Sequence, residues 1–254
     1  MAGISAYGVY IPRARLNKKA VADANAWFDA GLKSLGKGER AICNWDEDVI
    51  TMAVEAASEC LSSNQDVKLS SLYLASTTFP FLDRQNSVVV SEALNIDNNI
   101  RTMDIGASQR AATSALISLL ESNAEGDSLL VASEHRRSKA GSRAEFLCAD
   151  AAASVLLGSE NVIAECVGIE TLAVDFVDHY RGEESSFDYD WEERWIRDEG
   201  FMKTVPAVVK KLLQSASLSA CLLYTSPSPR DQRGSGVPGC GCKKKGGGGG
   251  GGGG

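Results

Sequence analysis

The chain predicts an α/β domain, a largely parallel sheet with helices on both faces, and three observations carry that prediction. Short β-prone runs recur, among them ISAYGVYI (4–11), LYLASTT (72–78), DSLLVAS (127–133) and AAASVLLG (151–158). Segments with apolar residues at helical spacing lie between them, as with Val49, Met52, Ala53, Ala56 and Cys60. At the centre, an apolar run carrying Met103 and Ile105 passes through Gly106, Ala107 and Ser108 into an alanine-rich helix. Strands and helices in alternation are the pattern of a sheet covered by helices.

In order, the first strand, Ile4–Ile11, is stopped by Pro12, which fixes φ and removes a donor. Lys18–Leu35 has the composition of one amphipathic helix. Asn44 is the expected N-cap of the next, where Asp46, Glu47 and Asp48 suit the positive end of the helix dipole. Leu72–Thr78 reads as a strand and Ser87–Leu94 as a short helix. In the central stretch, Ile100–Glu121, the turn aims the unpaired N–H groups of the first helical turn at the junction, as α/β enzymes do to hold an anion or an activated nucleophile. Ala111, Ala112 and Ala115 equally suit a helix that merely packs tightly. Asp127–Ser133 follows as a buried strand, then Ala151–Gly158 and Ile163–Val174 as a pair of adjacent strands. Trp191 and Trp195, four apart, belong on one apolar face of a short helix, and Lys203–Leu213 forms another.

From Cys221 the composition changes. Residues 221–254 hold three of the six prolines and 13 of the 25 glycines, and end in nine glycines. CLLYTSPSPRD resembles a translated sequencing adapter, so the segment is expected to be a non-native low-complexity tail outside the fold. It carries five basic residues against one acidic, so the net charge of −7 becomes −11 without it. An acidic chain without a basic stripe excludes nucleic acid as a natural partner. Cys43, Cys60, Cys148 and Cys166 remain, with no CxxC pair and no histidine close in sequence, so neither a metal site nor a disulfide framework is predicted. No apolar run approaches a membrane span and no signal segment is evident, so a cytoplasmic protein with reduced thiols is expected.

Five segments together resemble the thiolase-fold condensing enzymes: GISAYGVYIPRARL, NWDEDVITMAVEAA, LYLASTTFPF, DIGASQRAATSAL and LCADAAASVLLG. Within that fold the sequence resembles the 3-hydroxy-3-methylglutaryl-CoA synthase family first and ketoacyl synthase III second. The resemblance runs over about residues 3–215. It implies a layered αβαβα fold represented by its first half and the beginning of its second. The implied domains are residues 1–165, the N-terminal half; 166–220, a covering segment and the start of the second half; and 221–254, the tail. It implies acyl-CoA or an acyl-carrier thioester as substrate, with no separate cofactor, and a homodimer or a thiolase-like partner. The residues present are expected to be inactive alone.

Family members use a cysteine at the start of the buried central helix as the acyl acceptor and a glutamate as acid/base group. Matching Asp104 and the Thr113–Leu116 run puts Gln109 at the nucleophile position; matching Pro80 and the strand before it puts Thr77 at the glutamate position. An amide cannot replace a thiolate in forming an acyl-enzyme. The implied activity is therefore a catalytically divergent acyl-CoA condensing acyltransferase. The alternatives are a non-condensing partner subunit, a thioester decarboxylase or an acyl-CoA binding module. Ser108 reads as a helix cap and Cys148 as a buried small residue. Arg136, Arg137, Lys139 and Arg143 form either a phosphate-binding cluster or a solvated loop, and His179 reads as an exposed loop histidine.

Overall fold

The computed structural model describes residues 3–62, 64, 67–122 and 126–219. The expected tail, 221–254, lies outside the described residues. Two compact units form: one contains the chain up to Cys166 with Tyr180–Tyr189, the other Val167–His179 and the chain from Asp190.

In the first unit the elements run β1 (Gly3–Tyr10), β2 (Ala14–Asn17), α1 (Lys18–Asn25), β3 (Glu39–Ile42), α2 (Val49–Ser62), β4 (Leu69–Ala75), α3 (Asn86–Ala93), β5 (Arg101–Ile105), α4 (Ala111–Glu121), β6 (Asp127–Glu134), α5 (Arg143–Leu147), β7 (Ala151–Gly158) and β8 (Ala164–Glu165). A six-stranded sheet has the order β5-β4-β6-β7-β1-β8, and β2 and β3 form a separate ribbon. The α/β class stands, but the sheet is mixed. β4 runs parallel to β5 and β6, while β7 is antiparallel to β6 and β1, and β8 is antiparallel to β1. The cause lies in residues 135–150, which hold only the five-residue α5 and so lack a crossover helix long enough to carry the chain back for a parallel return.

Period-two alternation sorts the strand residues between two layers of helix. Leu72, Leu74, Leu129, Val131 and Leu156 pack under α2 and α3 with Ile50, Ala53, Ala57 and Val90. Ala75, Leu130 and Leu157 face the other way, against Ala111, Ala115 and Leu119 of α4. The alanine stripe of α2 brings helix and sheet backbones close. A Cβ on Gly8 would stand 2.3 Å from the Ala56 carbonyl oxygen and 2.4 Å from the Cys60 nitrogen, so only glycine fits there. The Ser154 hydroxyl donates to the same Ala56 carbonyl at 2.7 Å.

Several expectations are corrected. Lys18–Leu35 is not one helix: α1 ends at Asn25, and a 3-10 helix spans Ala30–Leu35. Asn25 accepts the Phe28 and Asp29 N–H groups at its carbonyl, and the Asp29 side chain accepts from Gly31 at 2.7 Å. The first two close the last turn of α1, and the Asp29 side-chain bond gives the backbone an alternative to continuing the helix. Asn44 does not cap α2. Asp48 does, accepting the Thr51 N–H at 2.8 Å while its own N–H donates to the Thr51 hydroxyl at 2.7 Å. β4 ends three residues early, because the N–H groups of Thr77 and Thr78 donate to the side chains of Glu134 and Ser76. Only Ala164–Glu165 of the Ile163–Val174 run is a strand, and β1 separates it from β7.

In the second unit α6 (Glu193–Trp195) passes through a π-helical stretch, Ile196–Phe201, into α7 (Met202–Ser215). Trp195 stacks on Phe176 at 5.9 Å between ring centroids. Trp191 lies before the helix, where its N–H donates to the Asp178 carbonyl at 2.9 Å, so the two tryptophans do not share a helical face.

Candidate functional site

Because β4, β5 and β6 are mutually parallel, their carboxyl ends open on one edge of the sheet, where open α/β sheets bind ligands. A cavity of about 530 Å³ lies there, lined by Ala75–Thr77, Ser108 and Gln109, Ala111 and Ala112, Ala132–Glu134, Arg136, and by Val9, Ile11 and Ala151–Ala153 from the ends of β1 and β7. That volume suits a small molecule. The alanines keep the walls thin and leave the polar groups concentrated at the strand ends.

Gln109 and Thr77, 32 residues apart in sequence, line this same cavity. Gln109 is exposed on the turn before α4 rather than within the helix. The turn places Ala107 in the left-handed region, φ 63°, an uncommon conformation for a residue with a Cβ. Ser108 is not the helix cap, which is Arg110; its hydroxyl accepts the Arg110 N–H at 3.1 Å within the turn and its carbonyl accepts from Ala111 at 2.9 Å.

Thr77 does not stand without a carboxylate. Glu134, from the end of β6, accepts the Thr77 N–H at 3.0 Å and, at its other oxygen, the hydroxyls of Thr77 at 2.5 Å and Thr78 at 3.0 Å. Glu134 is absent from the sequence reading because it lies 57 residues from Thr77 and opens the charged run EHRR. The signal that finds it is the strand pattern itself, which puts residue 134 at the same edge as residue 77.

Arg136 also lines the cavity, half-buried and ion-paired to Asp188. Arg181 reaches Asp188 at 3.2 Å and donates to the Thr77 carbonyl. The basic cluster is therefore split: Arg136 serves the cavity wall, while Arg143 opens α5. Cys148 is half-buried rather than buried, with its carbonyl accepting from Arg40 at 3.1 Å. His179 is not a solvated loop residue. Its Nδ1 lies 2.8 Å from Asp178 and its side chain is 21% exposed.

Asp104, the residue that set the position of Gln109, accepts the N–H groups of Asn86 at 2.6 Å and Ser87 at 2.7 Å, and the Asn86 amide at 2.9 Å. Burial pushes its carboxyl up, but the hydrogen bonds from Ser87 and Asn86 outweigh burial and hold its pKa below the ordinary value. It caps α3 from the neighbouring strand. Beside the cavity, the fold also brings together three residues far apart in sequence, Cys43, His135 and Asp150, whose side-chain donor atoms lie within 4.8 Å of one another. Burial first, then the Asp150 carboxylate, pushes the Cys43 thiol up to about 12. It is not a ready thiolate nucleophile.

No family model matches the chain. Its sequence is 30% identical over 192 residues to the hydroxymethylglutaryl-CoA synthase of Methanocaldococcus jannaschii, a match covering 72% of this chain and 55% of that protein. Against the hydroxymethylglutaryl-CoA synthase of Methanothermobacter thermautotrophicus, identity is 25% over 228 residues, covering 87% and 65%. The structure matches MvaS in complex with 3-hydroxy-3-methylglutaryl coenzyme A with a TM-score of 0.72 at 21% identity, covering 91% of this chain and 57% of that one. It matches 3-oxoacyl-(acyl carrier protein) synthase III, FabH, from Pseudomonas aeruginosa PAO1 with a TM-score of 0.70 at 21% identity, covering 88% and 73%.

The chain has the thiolase fold. This thiolase-fold chain is similar in sequence to hydroxymethylglutaryl-CoA synthases, and spans 55% and 65% of the length of the two curated relatives above. Among the described residues, no helix is long and apolar enough to cross a membrane.

Proposed function

We propose that the chain handles acyl-CoA as a condensing acyltransferase of the hydroxymethylglutaryl-CoA synthase type whose acyl-transfer groups have diverged. One observation carries the reading: the two positions that resemblance assigns to the reaction, Gln109 and Thr77, line one cavity together with a fixed carboxylate, Glu134. A thioester carbonyl in that cavity meets an amide that donates a hydrogen bond but does not attack. Glu134, acting through the Thr77 hydroxyl or directly, is the group able to take or return a proton. Turnover by the whole protein, not by the residues present alone, then requires both substrates at once, without a covalent acyl-enzyme at residue 109. The domain organisation, 1–165 and 166–220, the cytoplasmic setting, the homodimer and the absence of a separate cofactor belong to the same proposal.

Gln109 also favours a second reading, decarboxylation of a malonyl-type thioester. There the C–C bond to the carboxylate breaks, CO₂ leaves, and the Gln109 amide stabilises the enolate oxygen until carbon is protonated. Intact-protein mass spectrometry after incubation with acetyl-CoA, paired with equilibrium dialysis, tests the common part. We expect saturable binding with no acetyl adduct, and weaker binding of Thr77→Val. An adduct on the unmodified chain contradicts the proposal. Release of CO₂ from malonyl-CoA without a condensation product selects the second reading.

A further inference from the structure

We propose that Cys43, His135 and Asp150 form a binding site for one divalent transition-metal ion of the zinc class, separate from the thioester cavity. The three donors are a thiol, an imidazole and a carboxylate, a set that suits zinc. They come from three places in the chain: Cys43 follows β3, His135 follows β6 and Asp150 precedes β7.

Their side-chain donor atoms lie within 4.8 Å of one another. Ligand atoms around one tetrahedral zinc stand about 3.3–3.6 Å apart, given metal–ligand bonds of about 2.0–2.3 Å, so small side-chain rotations close the site. His135 Nδ1 lies 3.0 Å from Asp150 Oδ2. That nitrogen is buried, and its contact with Asp150 is not a well-formed hydrogen bond, so it is placed to ligate a cation that the carboxylate also faces. The Asp150 side chain is 4% exposed. Its Oδ2 also accepts the Cys43 N–H at 2.7 Å, which fixes the carboxylate beside the thiol. Among the described residues, no lysine or arginine forms an ion pair with Asp150; its one ion-pair partner is His135. A buried carboxylate facing a thiol and an imidazole is offered compensation by a cation, and burying it unpaired is costly.

Metal binding replaces the thiol proton, which leaves to solvent, and forms the metal–sulfur bond. Three protein ligands leave a fourth position for water. The ion's role would be positional. The His135 N–H donates to the Thr78 hydroxyl at 3.1 Å, and that hydroxyl donates to Glu134 at 3.0 Å. An ion on His135 therefore pins the strand end that presents Glu134 and Arg136 to the cavity.

The test uses the full chain with Cys221, Cys240 and Cys242 replaced by serine, so that cysteines outside the described residues contribute nothing. After chelator treatment the protein is titrated with Co²⁺ and then with Zn²⁺. We expect one equivalent of Co²⁺ with a thiolate-to-cobalt charge-transfer band in the near ultraviolet, bleached by Zn²⁺. The band should vanish in Cys43→Ser, and affinity should fall at least tenfold in His135→Gln, whose side chain is 41% exposed and tolerant of change. No band in the parent protein, or a band that survives Cys43→Ser, overturns the site. If Cys43→Ser does not fold, His135→Gln decides: full affinity in that variant also overturns it.

Discussion

Two helices on opposite faces of the sheet start near its carboxyl edge and are finished in opposite ways. α3 begins under Asp104, which accepts two of its backbone N–H groups and the Asn86 amide. α4 begins from the exposed turn 106–110, where Arg110 at the cap position makes no side-chain cap and Ala107 is left-handed. The first junction is closed by a half-buried carboxylate whose oxygens are taken up by the helix start. The second spends backbone conformation to put Gln109 at the mouth of a cavity. One junction is fixed by hydrogen bonds, and the other carries the proposed chemistry, an arrangement that keeps a site open without loosening the frame.

The largest expected effect breaks the closed junction. Asp104→Ala strands the N–H groups of Asn86 and Ser87, and urea denaturation should show a loss of about 2–4 kcal/mol; a change under about 0.5 kcal/mol would remove Asp104 from the frame. The pH dependence has a definite sign. The unfolded carboxyl titrates near its ordinary 3.8 and the folded one below it. The contribution is therefore complete above the ordinary value and lost as pH falls through the folded pKa. The stability gap between wild type and Asp104→Asn should accordingly shrink on acidification below that range. A gap that widens there contradicts the assignment.

Next in size, Ala107→Gly relieves the left-handed alanine and should raise stability by about 0.5–1 kcal/mol in the same denaturation experiment. A loss would mean that the turn is held by the Cβ. The smallest effect sharpens the contrast. Gln109→Ala, at an exposed position, should leave stability within about 0.5 kcal/mol, while acetyl-CoA affinity measured by dialysis falls several-fold. A variant that unfolds without any binding change would reverse the roles of the two junctions.

Much of the frame was legible because it rests on periodicity. The strands at 4–11, 127–133 and 151–158 reappear within a residue or two, and the alanines of α2 and α4 lie against the sheet as their spacing predicts. Sheet direction was not legible, because it depends on the length of helix between strands, and α5 occupies only five residues of the β6–β7 connection. The Lys18–Leu35 break was hidden in the side-chain hydrogen bond of Asp29, which composition does not weigh. The resemblance pointed to residues 77 and 109, which line one cavity, but not to the side chains around them. Glu134 reaches Thr77 across 57 residues, and His135 meets Asp150 across a connection that contains α5, which sequence spacing does not foreshadow.

The central claim is that residue 109 occupies an acyl-acceptor position from which the acceptor is missing. Gln109→Cys tests it most directly, since it restores a thiol beside the start of α4, where the helix dipole favours a thiolate. With acetyl-CoA, the account predicts an acetyl adduct localised to residue 109 in the variant and none in the parent chain. A Gln109→Cys protein that binds acetyl-CoA yet remains unmodified, or a parent chain already acetylated elsewhere in the cavity, would contradict it.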